Sequence, residues 1–126
     1  HITERFKTQL IKGPFKMIPK MIEAVHFNEN KPENNNISLP NKNGKYMKVF
    51  KSGKWTYCNK NEVIDELMEN NYYILDSHYD DTGEGLSNIQ KKRYKKFKDK
   101  YDEGDLEKET KDEINLVLLN SNNDNV

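Results

Sequence analysis

The stretch from Lys45 to Cys58 constrains this chain more than any other. Tyr46, Lys48 and Phe50 alternate with Met47 and Val49; after Lys51-Ser52-Gly53 the pattern resumes as Trp55 and Tyr57 alternating with Thr56 and Cys58. A period of two sends successive side chains to opposite faces of an extended chain. A Ser-Gly reversal between two such runs is a hairpin signal. The stretch predicts strands Lys45–Phe50 and Lys54–Cys58, with a short strand Asn36–Pro40 before them and a turn at Asn41–Gly44. One face of this sheet must pack on helices. The plain expectation puts the aromatics there and leaves the lysines in water.

Elsewhere the apolar residues recur at helical spacing. Thr3 caps a helix over Glu4–Lys12 with Phe6, Leu10 and Ile11 inward, and Gly13-Pro14 ends it. A second helix ends at Phe27, has Pro19 in its first turn, and turns Ile18, Met21, Ile22 and Val25 inward. Asn28–Asn36 reads as a loop, since Asn tolerates left-handed backbone and makes local turns. Asn59 or Asn61 caps a third helix, Glu62–Asn70 or longer, striped by Val63, Ile64, Leu67 and Met68. Asp80–Gly85 reads as a loop, and Ser87-Asn88-Ile89-Gln90 as a capping box opening a fourth helix to Tyr101. Gly104-Asp105 breaks it, and a fifth helix runs from Leu106 to Leu119. The expected fold is α+β: two N-terminal helices, a three-stranded antiparallel β-meander and three C-terminal helices. Residues 1–120 form a single domain, followed by a disordered polar tail at 121–126. The chain starts at His1 without a Met, which reads as a fragment of a longer protein.

Only 33% of the residues are apolar and 33% are charged. So thin a core often completes its burial in a partner, so self-association into a homo-oligomer is expected. Helices three to five would carry it through Leu67, Phe97, Leu106, Ile114, Val117 and Leu118. The net charge is zero but unevenly spread. Residues 1–60 hold 12 Lys and Arg against four Asp and Glu, whereas residues 61–126 hold nine against 17. Two solvated faces account for this split; so does a basic surface that meets an anionic partner. Cys58 is the sole cysteine, which excludes a disulfide within the chain and a cysteine-rich zinc site, and fits a reducing, intracellular compartment. No apolar run approaches the roughly 18–20 residues of a membrane span, so no membrane partner is expected. The 17 Asn and the dominance of Lys over Arg reflect AT-rich codons rather than chemistry.

Three constellations invite a functional reading. Lys45, Lys48, Lys51, Lys54 and Trp55 interleave cations with aromatics on the hairpin, the arrangement that holds single-stranded nucleic acid by stacking bases and pairing phosphates. The lysine-rich run Lys91–Lys100 could track phosphates, but the acids Asp102, Glu103, Asp105, Glu107 and Glu109 that follow it favour a solvated, self-paired helix. His26, followed by an Asn-rich segment, is the seed of a metal-dependent nuclease centre. That chemistry needs a second His or carboxylate to hold the ion and another group to activate water, and the only other histidines are His1 and His78. Asp65, Glu66 and Glu69 are expected on the outward face of the third helix, and Cys58 as buried filler. No phosphate-binding glycine loop or nucleophile elbow occurs. The expectation is a non-enzymatic protein with no catalytic residues, no metal ligands, no cofactor and no small-molecule substrate.

One resemblance adds context. The string Phe15-Lys16-Met17-Ile18-Pro19-Lys20-Met21-Ile22-Glu23-Ala24-Val25-His26-Phe27-Asn28 is followed by Lys31-Pro32-Glu33-Asn34-Asn35-Asn36-Ile37, Lys45-Tyr46, Trp55 and Asn61-Glu62-Val63-Ile64-Asp65-Glu66-Leu67. Together these resemble the C-terminal domain of uncharacterised proteins of giant, mimivirus-like DNA viruses, over roughly the first 75 residues. Several such proteins look like carriers of an N-terminal zinc finger; the zinc-binding cysteines are not in this sequence, so zinc does not carry over. The resemblance implies an interaction or oligomerisation module of a viral nucleic-acid-associated protein, in host cytoplasm, viral factory or virion. Direct DNA or RNA binding by the basic N-terminal half is the alternative, and the nuclease around His26 a further one.

Overall fold

A computed structural model describes residues 2–27, 37–38 and 44–124. They form a mixed, mostly helical structure in the order α1 (Glu4–Lys12), α2 (Met17–His26), β1 (Ile37–Ser38), β2 (Tyr46–Lys51), β3 (Lys54–Asn59), α3 (Lys60–Thr82), α4 (Asn88–Asp102) and α5 (Glu107–Asp124). Short 3-10 turns at Pro14–Lys16 and Gly83–Gly85 join α1 to α2 and α3 to α4. The sheet is in essence the antiparallel β2–β3 hairpin. The two residues of β1 pair with its edge, Ile37 opposite Val49 and Ser38 opposite Lys48. The expected loop Asn28–Asn36, most of the expected strand Asn36–Pro40 and residues 41–43 of the turn lie outside the described residues.

Local chemistry sets most helix starts. Thr3 accepts from the Phe6 N–H at 3.0 Å, and Asn59 accepts from the Glu62 N–H at 3.2 Å. Ser87 and Gln90 bond reciprocally in a capping box. Gly104, at φ 82°, closes α4: its N–H bonds the Tyr101 carbonyl while the Asp105 N–H reaches the Lys100 carbonyl, a Schellman end that needs left-handed backbone.

Two boundaries differ from expectation. α3 runs through Asp80 and Asp81 to Thr82, where a loop was expected, because Leu75, His78 and Tyr79 keep its inner face in contact with α1 and α4. α5 runs on to Asp124, into the segment expected as a disordered tail.

One core unites the helices. Ile11, Met17, Ile22, Leu75, Ile114 and Leu118 are all buried within it. Phe97 and Leu67 are buried there too, and Leu106 and Val117 pack partly buried against it. Four of the six side chains expected to form an oligomer interface are thus buried inside the chain, and two are partly covered. The reason is economy: with few apolar residues, α1 and α2 can bury their own faces only against α3, α4 and α5. The α3–α4 pair is an antiparallel tyrosine zipper. Tyr72 stacks on Tyr101 with ring centroids 3.9 Å apart, and seven residues on Tyr79 stacks on Tyr94 at 3.8 Å. Between them the Tyr94 hydroxyl donates to Asp76 at 2.8 Å.

Candidate nucleic-acid interface

The β2–β3 hairpin is closed by two residues with positive φ, Ser52 at 52° and Gly53 at 80°. That is the turn whose twist matches the flanking strands. Tight closure fixes the register: Lys48 faces Tyr57, Phe50 faces Trp55, and Lys51 faces Lys54. Residues directly opposite share a face. One face therefore carries Tyr46, Lys48, Phe50, Trp55 and Tyr57, and the other carries Met47, Val49, Thr56 and Cys58.

The expected assignment of these faces is reversed. Met47 is fully buried, Val49 and Cys58 pack partly buried against the core, and all three aliphatic or sulfur side chains point at the helices. The aromatics point out: Tyr46 is 58% exposed, Phe50 39%, Trp55 47% and Tyr57 64%. The alternation was legible, but both alternating sets are apolar, so period alone does not say which turns inward. The slimmer Met47, Val49 and Cys58 occupy that side, with Val49 and Cys58 facing Val63 and Leu67 of α3 across a cleft, whereas four rings there would need a wider gap.

The outward rings are organised. Phe50 and Trp55 meet edge to face at 5.5 Å between centroids, a favoured aromatic geometry. The Lys48 ammonium lies 5.2 Å from the Tyr57 ring centre, within cation–π range. Of the expected nucleic-acid residues, Lys48 and Trp55 thus share the aromatic face, whereas the exposed Lys51 and Lys54 sit together at the turn on the Met47 side, with Lys51 bordering the cleft beneath the sheet. Lys45 stands at the opposite end, where its carbonyl accepts from the Lys60 N–H at 2.8 Å. Tyr46, Phe50 and Tyr57 join them as members of the face. From Gly44 to Lys60 the sequence has five lysines and no Asp or Glu.

Beneath the sheet lies a cleft of about 250 Å³ between its inner face and α3, with His26, Glu62 and Glu66 at its margin. Among the described residues no three His, Cys, Asp or Glu side chains form a group able to hold a metal ion. His78 does not line this cleft, and His1 is outside the described residues. In a separate cluster, His78 Nδ1 lies 3.0 Å from a Glu4 carboxylate oxygen and Nε2 lies 2.8 Å from the Thr8 hydroxyl. The connectivity matches a nucleophile, a base and its orienting acid. However, the Thr8 hydroxyl is also bonded to its own helix at the Glu4 carbonyl, 3.0 Å away, and the His78 imidazole that completes the cluster is buried. It reads as a clasp between α1 and α3. Lys7 beside Glu4, followed by His78, holds that carboxyl below its usual range. Asp65, expected outward, instead accepts from Lys111 of α5 at 2.7 Å. Cys58 is half-buried and its thiol leans 3.8 Å from the Thr56 carbonyl.

No family model matches the chain, and no curated protein and no solved structure matches it.

Proposed function

We propose that this chain binds single-stranded nucleic acid across the outward face of the β2–β3 hairpin. The observation that carries the reading is the exposure of Tyr46, Phe50, Trp55 and Tyr57 together on one sheet face around Lys48. Large rings bury about 150–250 Å² each when they are covered. A chain this poor in apolar residues leaves four of them in water, so the face lacks an occupant. The lysines and the missing acids of the hairpin favour an anionic one. Bases present π faces for stacking only when they are unpaired, and a lysine-rich aromatic platform suits binding that tolerates any base sequence. The giant-virus resemblance agrees with a nucleic-acid-associated role. Four of the six side chains offered for self-association are buried in the core, which favours nucleic acid as the partner.

Trp55 is the only tryptophan, so intrinsic fluorescence reports on this face alone. Titration with oligothymidylate quenches it, and Trp55→Ala weakens binding by about 1–3 kcal/mol when followed by anisotropy of a labelled strand. Replacing Lys48, Lys51 and Lys54 together by Gln flattens the slope of log affinity against log salt by about 2, from roughly 0.7 per phosphate contact. A strand that binds without quenching Trp55, or with affinity indifferent to these changes, removes the hairpin from the interaction.

A further inference from the structure

A second basic surface lies on the opposite side of the molecule. Between α3 and α4 runs an open groove of about 310 Å³, lined by Tyr79, Tyr94, Lys91, Lys92, Lys95 and Lys98. Lys91, Lys95 and Lys98 are spaced i, i+4 and i+7, which sets them in one stripe along α4. Among the described residues Lys91 and Lys92 make no ion pair. Lys95 has only an exposed pair with Asp99 at 3.4 Å, of the kind worth little in water. Lys98 is held by Asp76 at 3.1 Å, and Asp76 also takes the Tyr94 hydroxyl. Asp80, exposed on α3, and Asp102, at the end of α4, are the other acids whose charge reaches Lys98. Lys91, Lys92 and Lys95 therefore remain available to an anion. Along the helix the rise is about 6 Å from Lys91 to Lys95 and about 4.5 Å from Lys92 to Lys95, a spacing suited to a chain of phosphates rather than to a single one.

The geometry separates this groove from the hairpin. Val63 and Leu67 face the inner side of the sheet. Tyr72 faces α4, and Asp76 bonds α4. Val63 to Tyr72, and Leu67 to Asp76, are each nine residues apart, about two and a half helical turns. The hairpin and α4 thus cover opposite sides of α3.

We propose that the Lys91/Lys92/Lys95 stripe is a second contact for nucleic acid, one that holds the sugar-phosphate backbone without reading bases and lets one chain engage two segments at once. The two-segment part rests on the hairpin reading; the backbone contact does not. The probes are an abasic hexanucleotide, which has phosphates but nothing to stack, and hexathymidylate. Lys91→Gln/Lys92→Gln/Lys95→Gln, all surface changes on a helix, weakens the abasic oligomer about 100-fold near about 0.1 M salt, at roughly 0.7 logarithmic units per contact. The same variant leaves quenching of Trp55 by hexathymidylate intact, and Trp55→Ala does the converse. Native mass spectrometry of the unaltered chain shows two hexamers bound. Abasic binding that is indifferent to the triple change, or that vanishes with Trp55→Ala, overturns the second contact. So does a stripe that binds phosphatidylserine vesicles more tightly than the oligomer at equal phosphate. Abasic binding that depends on the stripe without any Trp55 quenching leaves the groove standing and sinks the hairpin reading instead.

Discussion

A histidine that is only 4% exposed must satisfy both ring nitrogens within the protein. His78 does so across 70 residues, through Thr8 on one side and Glu4 on the other. The pair ties α1, the first helix of the chain, to the middle of the fold. Replacing His78 by Ala removes both bonds and leaves a hole, so it is expected to cost about 2–4 kcal/mol in urea unfolding. Thr8→Val keeps the volume and removes one bond, for about 1 kcal/mol. Equal stability in both variants and the parent protein would mean that the clasp holds nothing. The contrast with the helix caps shows what can be read at this scale. Thr3, Asn59 and Ser87 bond to backbone three residues away, so their roles follow from spacing alone. Nothing local links position 78 to positions 4 and 8; the fold must come first.

The α3–α4 pair carries the next consequence. Its tyrosines repeat at heptad spacing, Tyr72 and Tyr79 on one helix and Tyr94 and Tyr101 on the other. The repeat is visible in the sequence, but its pairing was not. Asp80-Asp81-Thr82-Gly83 reads as a loop by residue type, and the packing of Tyr79 on Tyr94, with His78 held against α1, keeps α3 helical to that point. At Gly83 a Cβ would sit 3.0 Å from the Tyr79 ring, so a larger residue there makes the ring give way. Burial, aided by Glu69, pushes the Tyr101 phenol up to about 12 from an ordinary 10.0. Burial, with the Asp76 hydrogen bond behind it, drives Tyr94 higher still, and burial with Asp76 also raises Tyr72. In each case the folded chain holds the proton more tightly than the unfolded chain does. The stabilisation is therefore complete below about pH 10. It is lost as pH climbs from about 10 towards 12, where unfolded tyrosines ionise and the folded ones do not. Urea midpoints measured across that range fall with rising pH, and Tyr101→Phe makes the fall shallower. A midpoint flat to pH 12 contradicts the burial of these phenols.

At the scale of the whole molecule, the helices share one core while the hairpin stands partly outside it. Helical stripes made the helical body legible, since each buried set repeats at three or four residues. The hairpin was legible as a hairpin but not in its orientation, because its aromatic and aliphatic faces are both apolar. Its attachment is slender: among residues 44–59 only Met47 is fully buried, with Val49 and Cys58 in partial contact. Four rings on the outer face gain little from folding. If their exposure serves a ligand, the sheet must be kept rigid from beneath, and Met47 is the pin. Met47→Ala removes that pin, at about 2–5 kcal/mol by the usual cost of a buried truncation. In the parent protein Trp55 fluorescence and far-ultraviolet dichroism follow one cooperative transition, as a small single-core domain does. In Met47→Ala the Trp55 transition moves ahead of the helical one, and nucleic-acid affinity falls before helix content does, since the platform loosens on a body that is still folded. Coincident transitions in the variant would show that the hairpin is held by more than its inner face.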